Sequence, residues 1–103
     1  MVVSPTGRID QASADAFQSA LVPYLAGCKK DGAPLVLDFS GIDYISSVGL
    51  RVLMLAARQV KAQDGRIAIA GLQPVVKEVF GISRFNLVFK VFDSVKAASE
   101  SLA

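Results

Sequence analysis

Hydrophobic and polar positions along the chain change period several times, and each change predicts an element. Residues 1–6 (MVVSPT) are short, apolar and partly β-branched, which predicts a strand. Pro5 suits a strand edge or end, because its nitrogen cannot donate to a ladder. Gly7 closes that strand. From about Ala12 to Gly27, Phe17, Leu21 and Leu25 recur on one helical face, with Ser13 or Asp10 as the cap. Pro23 lies inside this pattern and leaves room for a kink or early break there. After a polar turn at 29–32, PLVLDF (34–39) is a near-continuous apolar run, as in a strand covered on both faces. A tight loop from Ser40 to Ser46 is expected next. A second helix then runs from about Ser47 to Gln63. Its Leu50, Leu53, Met54 and Ala57 form an inward stripe, with Arg51, Arg58 and Lys61 off it. Asp64-Gly65 stops that helix, and RIAIAG (66–71) reads as a strand. LQPVVKEVFGI (72–82) predicts a third helix, with Pro74 in its first turn and Gly81 as its stop. LVFKVF (87–92) predicts a last strand, and Asp93 or Ser94 caps a final helix through Leu102.

Strands alternating with helices predict an α/β domain. Short connections favour right-handed crossovers and a largely parallel or mixed sheet of about four strands, flanked by four helices. The 103 residues suffice for one domain, spanning 1–103, and no repeat or linker divides them. Ligands of such sheets gather at the carboxyl ends of strands. The Ser40–Ser46 loop lies at one.

Composition narrows the function. Apolar residues make up 52% and charged residues 19%, the balance of a globular chain. The net charge of +2 is spread as single Lys and Arg residues, with Lys29-Lys30 the one adjacent basic pair, so no nucleic-acid face is expected. The chain has no histidine, which removes a Ser-His-Asp triad, a histidine base and a histidine-ligated metal. One cysteine, Cys28, forms neither an internal disulfide nor a CxxC knuckle, and is expected buried near a helix end in a reducing compartment. No signal-peptide pattern opens the chain. Charges such as Asp15, Arg51 and Lys61 keep every apolar run too short to cross a bilayer. The expectation is a cytoplasmic, soluble protein without direct membrane insertion. GxSxG and GxxxxGK[ST] are both missing, so a hydrolase or nucleotide enzyme is disfavoured, and no cofactor or metal is expected.

The remaining chemistry lies in Ser46-Ser47. A serine at the cap position accepts a bond from a free first-turn N–H, worth about 1 kcal/mol. That explains one serine better than two. The same helix start, with unpaired N–H groups and the positive end of the dipole, tolerates a dianion. A phosphate on Ser47 would add roughly −1.5 to −2 charge to a patch formed by Ile45, Val48 and Tyr44. Burying such a group against a partner without an opposing cation is costly, so modification can switch binding while the fold stays intact.

GRID at 7–10, LVLDFSGIDYISSVGLRVL at 35–53, GRIAIAGLQPVVKEVF at 65–80 and VFKVFDSVKAA at 88–98 together resemble the STAS domain. That domain is found in bacterial anti-sigma factor antagonists and at the C-terminal end of anion transporters. The resemblance implies a sheet flanked by four helices and a phosphoacceptor at the start of the second helix. Aligned on Gly49-Leu50, the acceptor falls on Ser47. It further implies a serine-protein kinase, itself the anti-sigma factor, that is bound by the unphosphorylated form, and a metal-dependent serine phosphatase that resets the switch. The chain would be a kinase substrate and not an enzyme.

The chain departs from the family pattern at three places. Ser46 replaces an acidic residue, Val48 stands where a second hydroxyl often occurs, and an extra N-terminal strand is not found before GRID. That leaves either a smaller sheet or an edge covered by a partner chain, and a homodimer stays open. Asp10 either orients the acceptor loop or caps a helix. Asp38 and Asp43 either place the Ser46–Ser47 turn or are plain loop carboxylates. Arg51, one turn into the helix, is expected exposed, facing a phosphate or a partner's carboxylate. The alternative function is an unswitched STAS subunit of a lipid or anion transporter complex.

Overall fold

Two apolar tetrapeptides make the centre of the molecule. In a computed structural model, which describes residues 1–102, LVLD forms β3 (Leu35–Asp38) and IAIA forms β5 (Ile67–Ala70). They pair in parallel, Leu35 opposite Ile67 through Asp38 opposite Ala70. Outside them lie β1 (Val2–Val3), parallel to β3, and β6 (Lys90–Phe92), parallel to β5. The order is β1-β3-β5-β6.

Alternation along these strands sorts the helices. Leu35, Leu37 and Ile69 face a core shared with α1 (Ala14–Gly27), α2 (Ser47–Ala62) and α3 (Pro74–Ile82). Val36, Ala68 and Ala70 face the other way, onto Ala98 and Leu102 of α4 (Val95–Leu102). Burial on both faces is why β3 reads as an unbroken apolar run. The small Ala68 and Ala70 let α4 lie close.

A second, two-stranded sheet joins β2 (Gly7–Ile9) to β4 (Ile42–Ile45), also in parallel. This sheet corrects the sequence reading twice. The strand expected over 1–6 shortens to Val2–Val3, and Gly7, expected to end it, opens β2 with a φ of +89° that suits glycine. The segment expected to be a loop, 40–46, contains β4, held by buried Ile42 and Ile45.

Three other readings change. α1 continues through exposed Pro23 to Gly27, so no early break occurs. On α2 the buried set is Gly49, Leu50, Val52, Leu53, Ala56 and Val60, with Met54 and Ala57 at its margin. The last strand shrinks to 90–92, because Phe85–Leu87 forms a 3-10 turn that sends Phe85 and Phe89 into the core. Cys28 lies at the end of α1, fully buried, its Sγ 3.1 Å from the Arg66 carbonyl it donates to. Gly65 packs against the Cys28 backbone so closely that a Cβ there would collide with it. The Gln63 side chain donates to the carbonyls of Leu25 and Cys28, both at 2.8 Å. The bases of α1 and α2 are thereby joined.

Candidate functional site

β4 runs directly into α2, and Ser46 makes the turn. Its backbone is extended (φ −91°, ψ 174°), and its N–H donates to the Ile9 carbonyl at 2.8 Å, extending the β2–β4 ladder by one bond. Its carbonyl already accepts from Leu50 N–H at 2.9 Å, while its Oγ accepts from Gly49 N–H at 3.4 Å. Ser46 is therefore the helix cap, half-buried and committed to the backbone.

Ser47 has a different position. It is the first residue of α2, exposed, and its hydroxyl makes no hydrogen bond among the described residues. Val48 beside it is 41% exposed, an apolar residue on an open surface. No acidic residue lies in the first turn of α2. The unpaired N–H groups and the dipole leave this tip electropositive.

Gly49 fixes where the tip sits. A Cβ on it would come within 2.7 Å of Ile9 Cγ2, 2.8 Å of Ile45 Cγ1 and 3.0 Å of the Ile9 carbonyl. Glycine in a helix costs about 1 kcal/mol relative to alanine, and here it allows the first turn to rest directly on β2 and β4. The residue is buried, so its contribution is to orient the tip and not to touch a partner. A glycine one turn inside an apolar stripe is a sequence signal for such close approach. Ile9 carried no signal of its own, and Ile45, read as part of the patch around Ser47, is instead buried beneath the tip.

The carboxylates divide. Asp10 directly follows Ile9, and its Oδ1 accepts from the N–H groups of Ala12 (3.0 Å) and Ser13 (3.2 Å). The Ser13 hydroxyl donates to the Arg8 carbonyl at 2.6 Å and accepts from Asp10 N–H at 3.0 Å. Desolvation raises the Asp10 pKa, but the Ser13 hydroxyl, the two N–H groups and Arg8 outweigh it, and the group titrates below the ordinary aspartate value. Asp10 is a turn-closing cap before α1 that also secures the end of β2, from which Ser46 hangs. Arg8, paired with Asp10 at 3.5 Å, stacks over Tyr44 at 4.7 Å and ties β2 to β4.

Asp38 makes no hydrogen bond to the serine turn among the described residues. Its carboxylate accepts from Ser40 N–H (3.0 Å) and the Ser4 hydroxyl (3.3 Å). The Ser40 N–H is the main reason its pKa is lowered, against a smaller opposing effect of burial. Gln73 adds a bond to the Ser40 carbonyl at 2.7 Å, bringing the start of α3 to this strand end. Asp43 is exposed on β4. Arg51 is exposed one turn beyond Ser47 and has no carboxylate within ion-pair distance among the described residues. The structure thus gathers Ser46, Ser47, Val48, Gly49 and Arg51 at one helix tip, supported indirectly by Asp10, while the Asp38 carboxylate is engaged by Ser4 and Ser40.

Comparison with known proteins bears on the family and the fold. The STAS domain family model matches residues 1–98. A Bordetella bronchiseptica protein named as a candidate anti-sigma factor antagonist, BtrV, is 39% identical over 93 residues, covering 90% of this chain and 78% of its own. Among solved structures, a candidate anti-sigma factor antagonist from Thermotoga maritima superposes with a TM-score of 0.87 at 19% identity, over 98% of this chain and 85% of that one. The murine anion transporter Slc26a9 superposes with a TM-score of 0.85 at 16% identity, over 98% of this chain and 17% of the transporter.

Proposed function

The chain belongs to the STAS domain family, and on that premise we propose that it is an anti-sigma factor antagonist whose grip on its partner is released by phosphorylation of Ser47. The name of the 39% identical relative supports the antagonist part of this reading. The separation of roles between two adjacent serines supports the switch: Ser46 is committed to the cap, and Ser47 is displayed.

The partner is a serine-protein kinase that is itself the anti-sigma factor. Unphosphorylated, the α2 tip docks through Val48 and its surroundings and holds that kinase away from its sigma factor. The kinase transfers the γ-phosphoryl group of ATP to Ser47 Oγ; the hydroxyl proton is lost and ADP leaves. The new dianion sits at the positive end of α2, which accommodates it without rearrangement. Facing a docked, desolvated partner it is costly, and the complex opens. A metal-dependent phosphatase hydrolyses the ester and restores the binding form. Ser46, replacing a carboxylate of the family pattern, supplies the cap acceptor without placing a negative charge beside the phosphate. The whole cycle fits a cytoplasmic protein, and no helix among the described residues is long and apolar enough to cross a membrane.

The likeness to the transporter is one of fold alone and adds no weight to a transporter-subunit role. The deciding experiment incubates the protein with its cognate kinase and ATP and maps the phosphate by mass spectrometry. Phosphate is expected on Ser47 and is retained in Ser46→Ala. Ser47→Ala should bind the kinase whether or not ATP is present, and Ser47→Asp should bind it at least tenfold more weakly. Phosphate confined to another residue, or a Ser47→Asp variant that binds like the unmodified protein, refutes the switch.

A further inference from the structure

A cleft of about 450 Å³ opens at the base of the molecule, away from the serine tip. Fourteen residues of helix separate Ser47 from Lys61 at its wall, about 21 Å at the usual helical rise. Met54, Ile67 and Leu102 give it an apolar floor. Leu87, which is 77% exposed, and Val88 continue that surface at its edge.

Four cations line the same cleft: Arg58 and Lys61 from α2, Arg66 just before β5, and Lys90 from β6. Three of them fall within residues 58–66, and the fold adds the fourth, Lys90, from the edge strand. None of the lining residues is acidic. The one ion pair among the described residues, Arg8–Asp10, lies on other elements, so among the described residues none of the four is ion-paired. Arg66 uses one guanidinium nitrogen on the Leu102 carbonyl and so fixes the end of α4 as part of the wall.

An apolar floor lined by four cations and no described acidic residue is complementary to one kind of molecule. We propose that this cleft binds a soluble single-chain anionic amphiphile, a phosphate or carboxylate headgroup on a short aliphatic tail. The volume of about 450 Å³ falls in the range of small-molecule sites, which suits a single short chain. The headgroup is held by Lys61, Lys90 and Arg58, and the tail covers Met54, Ile67 and Leu102. This site is independent of Ser47 and of the function proposed for it.

The test titrates the isotopically labelled full chain with octyl phosphate, below its micelle concentration, and follows backbone amide resonances. Saturable shifts are expected at Ala57, Val60, Ile67 and Leu102, with Ser46–Gly49 unmoved. Octyl glucoside, with no charge, and inorganic phosphate, with no tail, should each bind at least tenfold more weakly. The double variant Lys61→Gln/Lys90→Gln changes two exposed side chains, and should weaken octyl phosphate at least fivefold while its thermal melt stays close to that of the parent. Equal affinity for octyl glucoside, shifts spread over the whole chain, or an unaffected double variant overturns the proposal. So does sedimentation with phosphatidylglycerol vesicles without any binding of octyl phosphate.

Discussion

The two sheets of this protein do different work. In the four-stranded sheet, β3 is covered on both faces, and Leu35, Val36 and Leu37 are all but inaccessible. In the two-stranded sheet, Ile42 and Ile45 are buried, while Asp43 is exposed and Tyr44 half-exposed under Arg8. The first sheet is a core held by helices on both sides. The second is a shelf: one face anchors it, and its end supports the first turn of α2 through Gly49. Stability resides mainly in the one and the placement of Ser47 in the other.

The largest effects should separate the two. Leu37→Ala, which empties a fully buried site, is expected to cost about 2–5 kcal/mol in urea unfolding, a large share of the roughly 5–15 kcal/mol that holds a domain of this kind together. Gly49→Val forces a branched side chain against Ile9 and Ile45, and should cost about 1–3 kcal/mol. Native-state hydrogen exchange distinguishes them: Leu37→Ala should loosen β3 and β5, and Gly49→Val chiefly residues 42–50. Equal loosening of both sheets in both variants would make them one cooperative unit and end the distinction.

A smaller effect sharpens it within the serine pair. Ser46→Ala should lower stability by about 1 kcal/mol through loss of the cap. Ser47→Ala should stay within about 0.5 kcal/mol of the parent, as surface changes do. Matched urea midpoints for the two variants would mean that both hydroxyls serve the helix, and the division of labour would be lost.

The smallest effect is on acidification. Asp10 and Asp38 titrate below the ordinary aspartate value in the folded protein, so the unfolded chain binds their protons first as pH falls. Their contribution is complete above the ordinary value and is lost as pH falls through the lowered ones. Asp38→Asn should therefore lose less stability than the parent between pH 6 and pH 2.5, measured by urea midpoint. An identical loss would remove Asp38 from the acid response.

Much of the core was legible in the sequence because burial on two faces leaves a continuous apolar run, as in LVL and IAIA. The shelf was not. β4 has one exposed aspartate and only two buried isoleucines in four residues, and it follows a Ser-Gly pair that reads as a turn. Its pairing with three residues near the N-terminus is a long-range fact that no local pattern encodes. LVFKVF erred the other way: its apolar residues are real, but β5 offers β6 only Ala68–Ala70 as partners. At the candidate site, the order Ser-Ser-x-Gly-Leu located the helix start. It offered Ser46 as a cap without deciding the matter, and it did not explain Gly49, whose close approach depends on where Ile9 lies. Asp38 was associated with the serine turn by its place at a strand end, and its hydrogen bonds go to Ser4 and Ser40 instead.

Cys28 has a practical consequence. It is the molecule's sole thiol, wholly inaccessible, and it lies where Gly65 and Gln63 clasp the lower ends of two helices. An alkylating reagent can reach the sulfur only while that clasp is undone, so the rate of labelling is a built-in stopwatch for the scaffold's own breathing.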